Sequence, residues 1–154
     1  MLSEQSLQRI EELKKRYPSP RAVVLEALWM WQDENGWISQ EGMKEVGRLL
    51  DIPAHEVLGI VTFYTMYNTK PVGRHKLEVC TNVSCMLRNS EKIMKHLQST
   101  LNIKVGETTP DNRFTLVEAE CLGACGYAPM MQVGDEYYEN LDEATVGKIL
   151  AELQ

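Results

Sequence analysis

Apolar residues recur at three- and four-residue steps through the first seventy positions, the period of helices that bury one face. Leu7, Ile10 and Leu13 follow Ser3, which supplies an N-cap. Pro18-Ser19-Pro20 interrupts that pattern, and Ser19 followed by Pro20 is a cap and first-turn pair for a second helix. Val23, Val24, Ala27, Leu28 and Trp31 form its stripe, which stops at Asn35-Gly36. Met43, Val46, Leu49 and Leu50 mark a third helix. Asp51-Ile52-Pro53 ends that helix and opens a fourth with Val57, Leu58 and Val61 on its apolar face.

The period changes at Pro71-Val72-Gly73. From His75 to Cys80 apolar Leu77 and Val79 alternate with Lys76 and Glu78, the pattern of a half-buried strand. Ile93, Met94, Leu97 and Leu101 return to helical spacing, and Arg113 to Glu120 reads as a second strand. Pro129–Val133 and Glu136–Tyr138 flank Gly134-Asp135 as a hairpin. Asp142 caps a last helix carrying Val146, Ile149, Leu150 and Leu153, with Leu141 and Val146 at staple positions. The expected architecture is α+β: a helical bundle over residues 1–70, then β-α-β-β-β-α over 71–154, an order that suits a thioredoxin-like sandwich.

Charge and composition narrow the partners. The 154 residues are 44% hydrophobic and 25% charged, and the net charge of −6 argues against a nucleic-acid partner. No apolar run approaches the ~20 residues needed to span a bilayer. The first residues lack the basic and apolar regions of a signal peptide, so the expected location is the cytoplasm. Thiols stay reduced there, which directs the cysteines toward metal or redox chemistry.

All four cysteines fall in the second half, as C-x4-C (Cys80, Cys85) and C-x3-C (Cys121, Cys125). Each pair follows a strand, and the two strands of a β-α-β unit run parallel, so their C-terminal ends share one edge. That convergence is what a four-thiolate site requires; the plain alternative is four buried, unligated cysteines. Both spacings are admissible for structural zinc and for an iron–sulfur cluster. The local sequence Cys121-Leu122-Gly123-Ala124-Cys125-Gly126 favours the latter, because its glycines let backbone N–H groups approach sulfur. The C-x-x-C of thioredoxin-like redox disulfides is absent, as is the C-x4-C-x2-C run of plant-type ferredoxins.

The runs ECLGACGYAPMM (Glu120 to Met131), CTNVSC (Cys80 to Cys85), IKVGETTPDNRFTL (Ile103 to Leu116) and IPAHEVLGIVTFYTMY (Ile52 to Tyr67) resemble the small thioredoxin-like [2Fe–2S] subunit of NADH:quinone oxidoreductase, respiratory complex I. Related subunits serve NAD-reducing hydrogenases and NAD-dependent formate dehydrogenases. The resemblance implies one [2Fe–2S] cluster on Cys80, Cys85, Cys121 and Cys125, with FMN and NADH held by a partner subunit. It implies further iron–sulfur subunits as partners, and contact with the cytoplasmic face of a membrane only through the larger complex. Asn89 stands where relatives usually have Gly. The competing expectation outside this family is a zinc-stabilised interaction module.

Trp29, Trp31, Trp37, Phe63, Tyr64 and Tyr67 concentrate in the helical half, either as core or as a docking surface. Met130-Met131 is expected to shield the cluster or fill the core. Arg21, Lys70 and Arg74 are expected on solvated surface. No nucleotide-binding glycine motif and no nucleophile–base pair is present, so two-electron chemistry is assigned to another subunit.

Overall fold

A computed structural model describes residues 1–153. The chain divides into two compact units, Met1–Pro71 and Val72–Gln154.

The first unit holds four helices: α1 (Glu4–Lys14), α2 (Val24–Asn35), α3 (Gln40–Leu50) and α4 (Ala54–Phe63). Each boundary has a local cause. Ser3 Oγ accepts from the Ser6 N–H at 3.2 Å, and Ser39 Oγ accepts from the Gly42 N–H at 3.1 Å. Gly36, at φ +79, closes α2 in the left-handed conformation that lacks a steric penalty for glycine. Ser19 and Pro20 start a short 3-10 turn, Pro20–Val23, rather than the α-helix itself, which begins one turn later. One continuous apolar core contains Ile10, Leu28, Val46, Val57 and Val61, all at most 1% exposed. Leu58 is a correction: it is 47% exposed, because the apolar stripe of α4 is narrower than the sequence pattern implies.

The aromatic residues divide. Trp31 and Tyr67 are buried, and the Tyr67 hydroxyl donates to the Leu25 carbonyl at 2.9 Å. Trp37 is half-buried. Phe63 is 76% exposed, with Tyr64, Trp29 and Met66 also on the surface. Phe63 and Tyr64 meet edge-on at a 5.0 Å centroid separation.

The second unit is a four-stranded sheet with three helices. Its elements are β1 (His75–Cys80), α5 (Val83–Leu87), α6 (Ser90–Leu101), β2 (Phe114–Ala119), β3 (Met131–Val133), β4 (Glu136–Tyr138) and α7 (Glu143–Glu152). Strand order is β2-β1-β3-β4, with β1 parallel to β2 and antiparallel to β3. The chain is thus α+β, with helices first and a mixed sheet second, as the sequence pattern led one to expect. The hairpin strand β3 begins at Met131, two residues later than expected. The five-residue helix α5 begins after Cys80 and contains Cys85; it had no periodic signature, being too short to show one. Asn89 precedes α6 at φ +70, a left-handed conformation that glycine and asparagine tolerate best. Asp142 caps α7 by accepting from the Thr145 N–H at 2.7 Å, and Leu141 and Val146 are both buried beside it.

Leu77, Val79, Leu97, Leu116 and Met131 form the sheet–helix core. A second, smaller apolar cluster lies apart from it: Cys80, Cys85, Ala128 and Met130, with Leu122 and Ala124 packed alongside. No helix among the described residues is long and apolar enough to cross a membrane.

Candidate metal centre

The parallel pairing of β1 with β2 sets His75 opposite Phe114 and, five steps on, Cys80 opposite Ala119. Cys80 therefore ends one strand where Cys121 stands two residues beyond the end of its neighbour. Backbone hydrogen bonds continue past the strands: the Thr81 N–H donates to the Ala119 carbonyl at 3.1 Å. Asn82 then does two jobs. Its Oδ1 accepts from the Val83 N–H at 2.8 Å and starts α5, and its Nδ2 donates to Glu120 Oε2 at 2.8 Å. The second bond ties the loop of the first pair to the residue preceding Cys121.

Cys85 sits in α5, so this short helix turns the thiol back toward Cys80. Met130 joins the two. Its carbonyl accepts from the Cys80 N–H at 3.1 Å, and its N–H is directed at the Cys85 thiol. Its side chain, 1% exposed, covers the pair. Met131 is the adjacent core residue of β3. Sequence reasoning assigned shielding to this dipeptide but missed the backbone role of Met130, because only the β1–β3 pairing puts residue 130 beside residue 80.

The second pair occupies an open loop. Gly123 adopts φ +91, and its N–H donates to the Cys121 sulfur. Cys125 begins a 3-10 turn, Cys125–Tyr127. The loop is pinned from outside, where the Tyr137 hydroxyl donates to the Leu122 carbonyl at 2.6 Å. Cys121 and Cys125 face each other with sulfurs 3.4 Å apart.

The two pairs differ in environment. Cys80 and Cys85 are 3% and 2% exposed, whereas Cys121 and Cys125 are on the surface. Burial pushes the Cys85 thiol up to about 11, helped by its hydrogen bond with Cys80 and opposed by the Met130 N–H. The Gly123 N–H and then Cys125 lower the Cys121 thiol. Cys125 is raised, chiefly by its hydrogen bond with Cys121, and the Ser84 hydroxyl opposes that shift. Cys125 and Cys80 each also act on Cys85 as like charges, so all four thiols fall within one electrostatic neighbourhood.

That donor set, four thiols in two pairs with N–H donors directed at sulfur, fits an iron–sulfur cluster, whose usual ligands are cysteine thiolates. Among the described residues no three His, Cys, Asp or Glu side chains are gathered around a single ion position. Four cysteine thiols in two pairs are the usual ligand set of a [2Fe–2S] cluster.

The sequence model of the thioredoxin-like [2Fe-2S] ferredoxin family matches residues 10–154. The chain is 46% identical to an NADH-quinone oxidoreductase subunit of Rhizobium meliloti, across 93% of this chain and 85% of that one. It is 42% identical to the corresponding subunit of Rickettsia conorii, across 97% and 91%. The mitochondrial NADH dehydrogenase [ubiquinone] flavoprotein 2 of Dictyostelium discoideum is 40% identical over 99% of this chain, which spans 63% of that longer protein. Among solved structures, the fold superposes on part of an NAD+-reducing [NiFe]-hydrogenase with a TM-score of 0.75 at 20% identity. The match covers 86% of this chain and 23% of the hydrogenase chain. The chain belongs to the thioredoxin-like [2Fe-2S] ferredoxin family, in the branch of the small subunits of NADH-quinone oxidoreductases.

Proposed function

We propose that Cys80, Cys85, Cys121 and Cys125 hold one [2Fe–2S] cluster and that the chain is an electron-transfer subunit of an NADH dehydrogenase, exchanging single electrons with the FMN of a partner NADH-binding subunit. The observation that carries the reading is the convergence of two sequence-distant cysteine pairs at the C-terminal edge of the parallel strands β1 and β2. Relatives at 40–46% identity, named as NADH dehydrogenase components, support the choice of complex.

A bound [2Fe–2S] cluster would supply a one-electron redox centre. The chain's residues define its surroundings. The N–H groups of Met130 and Gly123 are donors aimed at thiolate charge, which favours the added negative charge of reduction. Met130, Ala128 and the half-buried Leu122 and Ala124 exclude water on the side of Cys80 and Cys85. Cys121 and Cys125 leave the other side open, toward which a partner's flavin can approach. Hydride transfer from NADH needs an organic acceptor such as flavin, which the chain's own residues do not replace.

The test is anaerobic purification with quantitation of iron and acid-labile sulfide. Two of each per chain are expected, with the paramagnetic signal of one reduced [2Fe–2S] centre after dithionite. Stoichiometric zinc without labile sulfide would sink the assignment. The pure chain should not be bleached by NADH until the flavoprotein partner is added.

A further inference from the structure

We propose that in the cluster-free chain Cys121 and Cys125 form a reversible intrachain disulfide by exchange with a small-molecule disulfide, closing the cluster site until a reductant reopens it. This rests on the ligand reading above, because it concerns what the same thiols do before a cluster is in place.

Geometry permits closure of this pair. Its sulfurs stand 3.4 Å apart, and a disulfide needs about 2.05 Å, so bond formation asks for a movement on the order of 1 Å. Open space flanks the loop: apart from chain neighbours, no atom lies within 4 Å of the position a Cβ would take on Gly123 or Gly126. The loop is nevertheless held as a loop, by Tyr137 on the Leu122 carbonyl and by the Tyr127 N–H on the Ala124 carbonyl at 3.0 Å. These bonds hold the two thiols in one short loop.

Access selects the same pair. Exchange requires a thiolate to reach the sulfur of an incoming disulfide. Cys121 and Cys125 are exposed, whereas Cys80 and Cys85 lie beneath Met130 and Ala128. With glutathione disulfide, the Cys121 sulfur forms a bond to one glutathione sulfur while the other leaves as glutathione thiolate. The Cys125 sulfur then displaces the remaining glutathione. One protein disulfide and two glutathione thiols result, with two electrons passed from the protein sulfurs to glutathione. A chain closed in this way offers two thiolates instead of four, so it cannot accept a four-thiolate cluster.

The experiment uses the full-length chain, freed of iron anaerobically and checked for native circular dichroism, then exposed to glutathione disulfide. Thiol counting and peptide mass mapping should show a fall from four thiols to two and a single Cys121–Cys125 link. Dithiothreitol should restore all four thiols and full cluster reconstitution. A C80S/C85S double variant should still form the link, and a C121S/C125S variant should keep its two thiols. Four surviving thiols, an unresolved glutathione adduct, a Cys80–Cys85 link or scrambled pairing would each overturn the proposal. The ligand assignment is read separately: a cluster-loaded chain should resist the reagent, and formation of the same disulfide with the cluster intact would remove Cys121 and Cys125 from the ligand set instead.

Discussion

The helical unit and the sheet unit solve the same burial problem with different range. In the first, one core is assembled from stripes on four helices, two of them opened by serine caps, and no cysteine is present. In the second, the core is split. Leu77, Val79 and Leu116 pack between sheet and helices, while Cys80, the last residue of β1, and Cys85 lie in a separate apolar cluster. The difference teaches that the sheet unit fixes its site by strand pairing, so its chemistry is coupled to its fold. The helical unit instead leaves aromatic rings at its surface: Phe63 is 76% exposed, and Tyr64 and Trp29 are partly so while in contact with buried Tyr67.

The comparison can be broken most directly at the cysteines. Cys85→Ser or Cys121→Ser should abolish stoichiometric binding of the cluster, measured as iron per chain, while the helical content of the first unit persists by circular dichroism. Matched core truncations come next. Leu28→Ala and Leu116→Ala each remove a fully buried side chain and should destabilise by roughly 2–5 kcal/mol in chemical denaturation. Only Leu116→Ala should also speed cluster loss to a chelator, because Leu116 pairs with Leu77 in the strands that deliver Cys80 and Cys121. Equal cluster loss from both variants would show that the units are not separable in this way.

A third contrast concerns docking. Phe63→Ala should leave stability within about 0.5 kcal/mol, as for surface substitutions generally. It should weaken binding of the flavoprotein partner by about tenfold, the scale of a modest interface anchor. Unchanged affinity in a titration would return Phe63 to ordinary exposed surface. The smallest effect is expected at the start of α1. Hydrogen bonds from the Ser3 and Ser6 hydroxyls hold Glu34 below its ordinary value of 4.5. A depressed carboxylate contributes stability above its unfolded value and loses it as pH falls through the folded one. The gap in melting temperature between the chain and Ser3→Ala should therefore be present at neutral pH and narrow below about pH 4.5. A gap that stays constant into acid would assign the effect to helix capping alone.

Much of this organisation was legible before any coordinates. Ser3, Ser19 and Asp142 act as caps because a cap depends on a few neighbouring residues, all visible in sequence. The strand from His75 to Cys80 was visible because alternation is a local property, and the C-x4-C and C-x3-C spacings marked the cysteines as a set. Helix α5 was not visible, because five residues contain too few turns to establish a period. Leu58 misled, because periodicity cannot tell how wide a stripe its neighbours will cover.

By itself the sequence determined the helical stripes and their caps, the change of period near Pro71 and the cysteine spacing, all of which depend on residues close together in the chain. Only the tertiary structure decided which thiols are buried, that Met130 offers one backbone group to Cys80 and another to Cys85, and that Asn82 reaches Glu120. Those relations join residues far apart in the chain, 38 positions in the case of Asn82 and Glu120, and nothing local encodes them. They exist because β1 pairs with β2 on one side and with β3 on the other, which brings the ends of three strands to one edge.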